Sequence, residues 1–142
     1  MDEAISGLPA EGIARLGTEW VNWYLVVDGT AVTVVDCGFA AYFDQLDSGL
    51  ASLGRSGSDV AAVVITHYHS DHVGCAERIR SELGVPVHAP RPEVAGVTGE
   101  ESVPLPKEVP ANLWRPRMMR FGAHMARNGG MRKNSVGEVT GY

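Results

Sequence analysis

Six consecutive apolar residues, Val60 to Ile65, run straight into Thr66-His67-Tyr68-His69-Ser70-Asp71-His72-Val73-Gly74. A short unbroken apolar run predicts a strand buried on both faces, so the residues after it are delivered to the end of a sheet. Those residues include three of the chain's five histidines and an aspartate within a span of six. Neutral imidazole nitrogen and carboxylate oxygen are the ligands that zinc and related divalent ions prefer. A helix-capping turn with Ser70 or Asp71 as the cap accounts for one residue and leaves three neighbouring histidines without a reason.

The spacing says how such a cluster can act. In an extended segment, residues two apart face the same way, so His67 and His69 can converge on one ion with Tyr68 turned aside. Asp71 and His72 come next, at the turn into a helix, where they can reach a second ion beside the first. A carboxylate is also favoured electrostatically at a helix N-terminus. Open α/β sheets collect ligands at the carboxyl ends of their strands, which is where this cluster falls.

The flanking pattern predicts the sheet. Val21 to Val27 and Ala31 to Val35 are rich in β-branched and aromatic residues, and Asp28-Gly29-Thr30 between them is a hairpin signal. Ile13 to Thr18 adds an earlier strand. Phe43, Leu46, Leu50 and Leu53 follow helical spacing up to Gly54, and Val73, Ala76, Ile79 and Leu83 do so up to Gly84. Val85 to His88 predicts one more short strand. Strand, helix, strand, helix, strand describes a layered α/β arrangement.

Glu93 to Pro110, with Pro104, Pro106 and Pro110, predicts an exposed connection. Beyond it Trp114, Met118, Phe121 and Met125 form one helical stripe, and Arg117, Arg120, His124 and Arg127 another. Pro116 suits only a first turn, so this helix starts there and ends at Gly129-Gly130. The apolar stripe is core packing or the wall of a greasy pocket. From Ala111 onward six basic residues face Glu138 alone, although the net charge of the whole chain is −5. The basic stripe is either a solvated helix face or an anion-binding one.

At 142 residues, 44% hydrophobic and 20% charged, the chain has the size and composition of one soluble domain. Cys37 and Cys75 share no metal or redox spacing and predict buried thiols. The start lacks an apolar segment with basic flanks, and no run is long enough to cross a bilayer, so the expected compartment is the cytoplasm.

His67-x-His69-x-Asp71-His72 resembles the signature of the metallo-β-lactamase superfamily. Asn22-Trp23-Tyr24-Leu25-Val26-Val27 and Val34-Val35-Asp36-Cys37-Gly38 resemble that family's opening strands and its Asp-x-Gly turn. The similarity runs in order from Ile13 to Pro90. It implies an α/β fold, the N-terminal half of a four-layer αβ/βα sandwich, and a two-metal hydrolase that usually uses zinc. By position, His67 and His69 serve the first metal, and Asp71 and His72 the second. Asp71 also orients the attacking hydroxide as the catalytic carboxylate, and Asp36 stands behind the ligands and orients their loop. An ordinary turn residue before Gly38 is the alternative for Asp36.

The same resemblance implies a third histidine in a downstream Pro-Gly-His-Thr-like turn, then a bridging aspartate and a final histidine. His88 and His124 lie in neither context. Residues 111–130 resemble the family's helical insertion, and Ser135 to Tyr142 the start of its next strand region. The expectation is therefore one incomplete domain, a fragment with part of a metal site. Its substrate would be a small ester, thioester, lactone, lactam or phosphodiester. Self-association or complementation by a missing C-terminal half would complete it, with nucleic acid and membrane not expected as partners. A degenerate metal-binding or scaffold domain without turnover is the competing reading.

Overall fold

The hairpin signal at Asp28-Gly29-Thr30 becomes a tight turn between two antiparallel strands. In the computed structural model, which describes residues 10–102, 111–133 and 135–142, Asp28 pairs with Ala31. Gly29 takes φ +59°, a left-handed value that glycine adopts without steric cost. Strand β1 (Ile13–Gly17) pairs antiparallel with β2 (Asn22–Asp28), and β2 with β3 (Ala31–Val35). The chain then crosses over, so that β4 (Val60–Val64), β5 (Val87–Ala89) and β6 (Thr140–Gly141) add in parallel. The six strands lie in chain order, antiparallel on one side of β3 and parallel on the other.

Period-two alternation selects the buried face. Leu16, Trp23, Leu25, Val34 and Val63 are almost wholly removed from solvent. Helix α1 (Leu46–Ser52) seats Leu46 and Leu50 in this core, and α3 (Ala76–Leu83) seats Ala76 and Ile79. Gly49 lets α1 approach closely, since a Cβ there would press on the Leu16 and Leu25 side chains.

Four expectations change. β4 is not buried on both faces: Val63 and Ile65 are fully covered, whereas Ala61 is exposed and Ala62 and Val64 are half-buried. The helices that fill the core pack on the side of Val63. The helix expected from Phe43 onward begins as a 3-10 turn, Ala40–Gln45, and becomes α-helical only at Leu46. The connection expected from Glu93 contains helix α4 (Val94–Thr98), because Val97 is fully buried and Val94 packs against the core. Its proline-rich part, 103–110, lies outside the described residues.

The fourth concerns helix α5 (Pro116–Arg127), which starts at Pro116 as expected. Phe121 and Met125 pack against the core, but Trp114 is 73% exposed and belongs to no buried stripe. His124 leaves the basic stripe and turns inward. Its Nε2 lies 2.6 Å from Tyr42 Oη, which lies 2.8 Å from Thr18 Oγ1. Arg117 and Arg120 lie over the Trp20 ring at 5.7 and 6.0 Å.

Candidate functional site

The site is assembled where β3 and β4 end side by side. Parallel pairing brings Val35 beside Val64, so Asp36 and the segment from Thr66 onward leave the sheet together. Asp36 is 7% exposed and has φ 58°, the one non-glycine residue with positive φ among the described residues. Aspartate tolerates this conformation better than most residues. It turns the carboxylate onto the neighbouring strand end, where the Thr66 backbone N–H donates to Oδ1 at 2.8 Å. Thr66 Oγ1 donates to the same carboxylate at 2.9 and 3.0 Å, and His72 Nδ1 donates to Oδ2 at 2.8 Å.

His67 and His69 follow in extended chain, and helix α2 (Ser70–Val73) carries Asp71 and His72 on its first turn. Two backbone hydrogen bonds clamp this turn to the end of β3: Cys37 N to His72 O at 2.7 Å and Gly74 N to Gly38 O at 2.8 Å. Gly74 is required by that approach, because a Cβ there would meet the backbone of Gly38, Phe39 and Ala40. Cys75 packs beneath, its thiol donating to Cys37 O at 2.7 Å. Both cysteines are free and buried, and burial holds the Cys37 thiol well above its ordinary pKa, so that thiol is inert.

The three imidazoles of the motif come together. The His67 ring lies 3.8 Å from that of His72 and 4.8 Å from that of His69, centroid to centroid. Tyr68 turns away as expected, its backbone N–H held by Glu93 Oε2 at 3.1 Å and its ring packed where a Gly96 side chain would stand. His72 Nε2 lies 3.4 Å from Asp71 Oδ2. Burial opposes charge on His72, but hydrogen bonds to Asp36 and Asp71 outweigh it and raise its pKa to about 9. His67 is pushed down by burial and by the neighbouring His72 and His69. Asp71 is shifted down despite burial, through its hydrogen bond with His72.

The donor chemistry fits a divalent cation: imidazoles and a carboxylate share one strand end, and Asp36 on Nδ1 leaves His72 Nε2 as the outward nitrogen. The number of convergent donors does not complete a site. Among the described residues no group of three His, Cys, Asp or Glu side chains is arranged to hold a metal ion as it stands. His88, on β5, and His124, bound to Tyr42, stand in other surroundings.

Sequence reasoning read Phe121 and Met125 as a stripe but did not place them. They form one wall of a cleft of about 460 Å³ whose other wall is His69, Ser70 and Asp71. Arg132 and Lys133 also line it, and no sequence pattern ties them to the histidines.

An α/β sheet with a polar cluster at the carboxyl ends of adjacent strands defines the class, and comparison with known proteins defines the family. The sequence profile of the metallo-beta-lactamase superfamily matches residues 17–125, and the chain belongs to that superfamily. Probable metallo-hydrolase YybB of Bacillus subtilis (strain 168) is 30% identical over 109 residues, covering 74% of this chain and 48% of that protein. Probable metallo-hydrolase YflN of the same organism is 26% identical over 98 residues, 67% of this chain and 37% of that protein. Among solved structures, the subclass B3 metallo-beta-lactamase BJP-1 of Bradyrhizobium japonicum matches with TM-score 0.59 at 22% identity, over 66% of this chain and 35% of that one. A class B3 di-zinc metallo-beta-lactamase from an Alaskan soil metagenome matches with TM-score 0.58 at 24% identity, over 63% of this chain and 34% of that one. At such identities these structures show the fold alone. The chain spans less than half the length of these two curated relatives and about a third of these solved structures.

Proposed function

We propose that this chain carries the N-terminal part of a metallo-hydrolase active site. In this reading His67 and His69 are ligands of one zinc ion, and Asp71 and His72 of a second. The substrate is an ester, thioester, lactone, lactam or phosphodiester. The observation that carries it is the gathering of His67, His69 and His72 at one strand end, with His72 Nδ1 tied to the buried Asp36 carboxylate. A helix cap or a solvated turn requires neither. Divalent cations there would supply Lewis acidity, lowering the pKa of water and polarising the oxygen of the scissile group.

The chain's own residues do the positioning. Asp36 fixes the His72 tautomer with the proton on Nδ1 and pins Thr66 at the root of the ligand loop. In this reading Asp71, whose side chain is 33% exposed at the cleft, would accept a hydrogen bond from the attacking water and orient it. No serine or cysteine nucleophile is needed. The remaining ligands would come from outside the described residues, and self-association or a complementing segment would supply them.

Cobalt or zinc titration of the full chain, followed by calorimetry and by the visible spectrum of cobalt, tests this reading. Paired His67→Ala and His69→Ala substitutions should weaken binding at least tenfold, as removal of two ligands must. Unchanged affinity in that double variant would refute the assignment and leave a scaffold domain as the better reading.

A further inference from the structure

Helix α5 does not spend its apolar side chains on the core: none of its residues is fully buried, although Phe121 and Met125 touch the core cluster. The unspent surface faces the His/Asp loop. Met118, Phe121, Met125, Leu113 and Phe39 give the cleft an apolar wall, and its volume of about 460 Å³ falls within the range of small-molecule sites. Leu113 is 47% exposed along this wall, which core packing does not explain.

Gly122 is an independent sign. It sits in the middle of a 12-residue helix, where glycine costs roughly 1 kcal/mol relative to alanine. Packing among the described residues does not demand it, because a Cβ there would meet none of their atoms within 4 Å. Gly122 lines the cleft, so the missing side chain leaves space in the wall itself.

Charge gives the third element. Arg132 and Lys133 lie on the lining, are exposed, and make no ion pair among the described residues. Among the described residues the lining also holds two carboxylates, Glu101 and, beside His69, Asp71.

We infer that this cleft binds a substrate with a flexible apolar chain and an anionic group. The chain lies along α5 over Gly122, the anion lies against Arg132 and Lys133, and the bond to be cut lies beside His69 and Asp71. The hydrolysable substrate is then an anionic acyl ester, thioester or lactone of medium chain length. The inference rests on the hydrolase reading for the reaction, but not for the binding.

Calorimetric titration of the full chain with decanoate, decanol and acetate, in the presence of a chelator, reads the cleft without the metal. Decanoate should bind, with decanol and acetate each at least tenfold weaker. Gly122→Leu should weaken decanoate at least tenfold, and Gly122→Ala by less, with unfolding midpoints equal to or above that of the parent. The Arg132→Gln, Lys133→Gln double variant should erase the preference for decanoate over decanol. Decanoate binding that ignores Gly122→Leu would be detergent-like adsorption and would overturn the inference, as would no binding by the parent. Intact cobalt binding beside failed decanoate binding sinks the cleft and spares the metal reading; the reverse outcome sinks the metal reading and spares the cleft.

Discussion

Asp36 carries more of this site than any other residue, because one carboxylate holds a backbone amide, a hydroxyl and an imidazole at once. Asp36→Asn keeps the shape and tolerates the positive φ, but its amide nitrogen cannot accept the bonds that Thr66 and His72 donate. The expected loss is about 1–3 kcal/mol, read from the denaturant midpoint. Asp36→Ala should cost roughly 1 kcal/mol more, because alanine tolerates φ 58° poorly. The same carboxylate, with Asp71, raises His72 to about 9 from an ordinary 6.5. A folded-state pKa raised in this way means that the folded state holds the proton more tightly. The stabilisation is complete below pH 6.5 and is lost as pH rises through about 9. Thermal midpoints of the chelator-treated protein should therefore fall between those limits, and His72→Gln should flatten the fall. A divalent ion takes neutral imidazole, so zinc added at pH 8 should release a proton, measurable with an indicator dye.

At the scale of elements, two contacts decide where the loop of residues 67–72 and the cleft wall stand. The first is the clamp between the end of β3 and α2, closed by Gly74 N to Gly38 O at 2.8 Å. Gly74→Ala forces a Cβ into the Gly38–Ala40 backbone and should destabilise the protein by more than about 2 kcal/mol or prevent its folding. The second is the latch of α5, in which His124 reaches Tyr42 and through it Thr18. His124→Leu keeps the apolar contacts with Phe39 and Trp20 but loses the hydrogen bond. It should cost about 1–2 kcal/mol and speed protease cutting near α5, seen by mass spectrometry of the fragments. His124 reads as part of a cationic stripe because helical spacing reports only which residues share a face. It does not report which face meets a tyrosine 82 residues earlier in the chain.

At the scale of the whole molecule, the number of ligands limits what the chain can do alone. Catalytic zinc normally has three protein ligands and an open position, and among the described residues no group of three candidate side chains is arranged to hold an ion. Purified chain dialysed against a chelator should retain well under one zinc per molecule by elemental analysis. Stoichiometric zinc after that treatment would mean that these residues suffice. Much of the architecture was legible beforehand: the hairpin at Asp28-Gly29, the stop of α3 at Gly84 and the start of α5 at Pro116 follow from local backbone chemistry. The dense His/Asp segment after Val60 to Ile65 and the Asp36-Cys37-Gly38 turn carry the family in their residues. Anything set by packing between distant segments stayed hidden. The half-covered second face of β4, the burial of Val97 in an expected loop, and the inward turn of His124 depend on which surfaces meet. The cleft is of the same kind, since residues 69–71 and 118–133 share no pattern and become neighbours only when α5 docks. Sequence alone thus determined the strands, the stops and the chemical character of the site, because φ preference, periodicity and donor type belong to single residues and their near neighbours. Tertiary structure alone decided how the imidazoles lie, what holds them and what cleft they face, because those depend on contacts that no local segment contains.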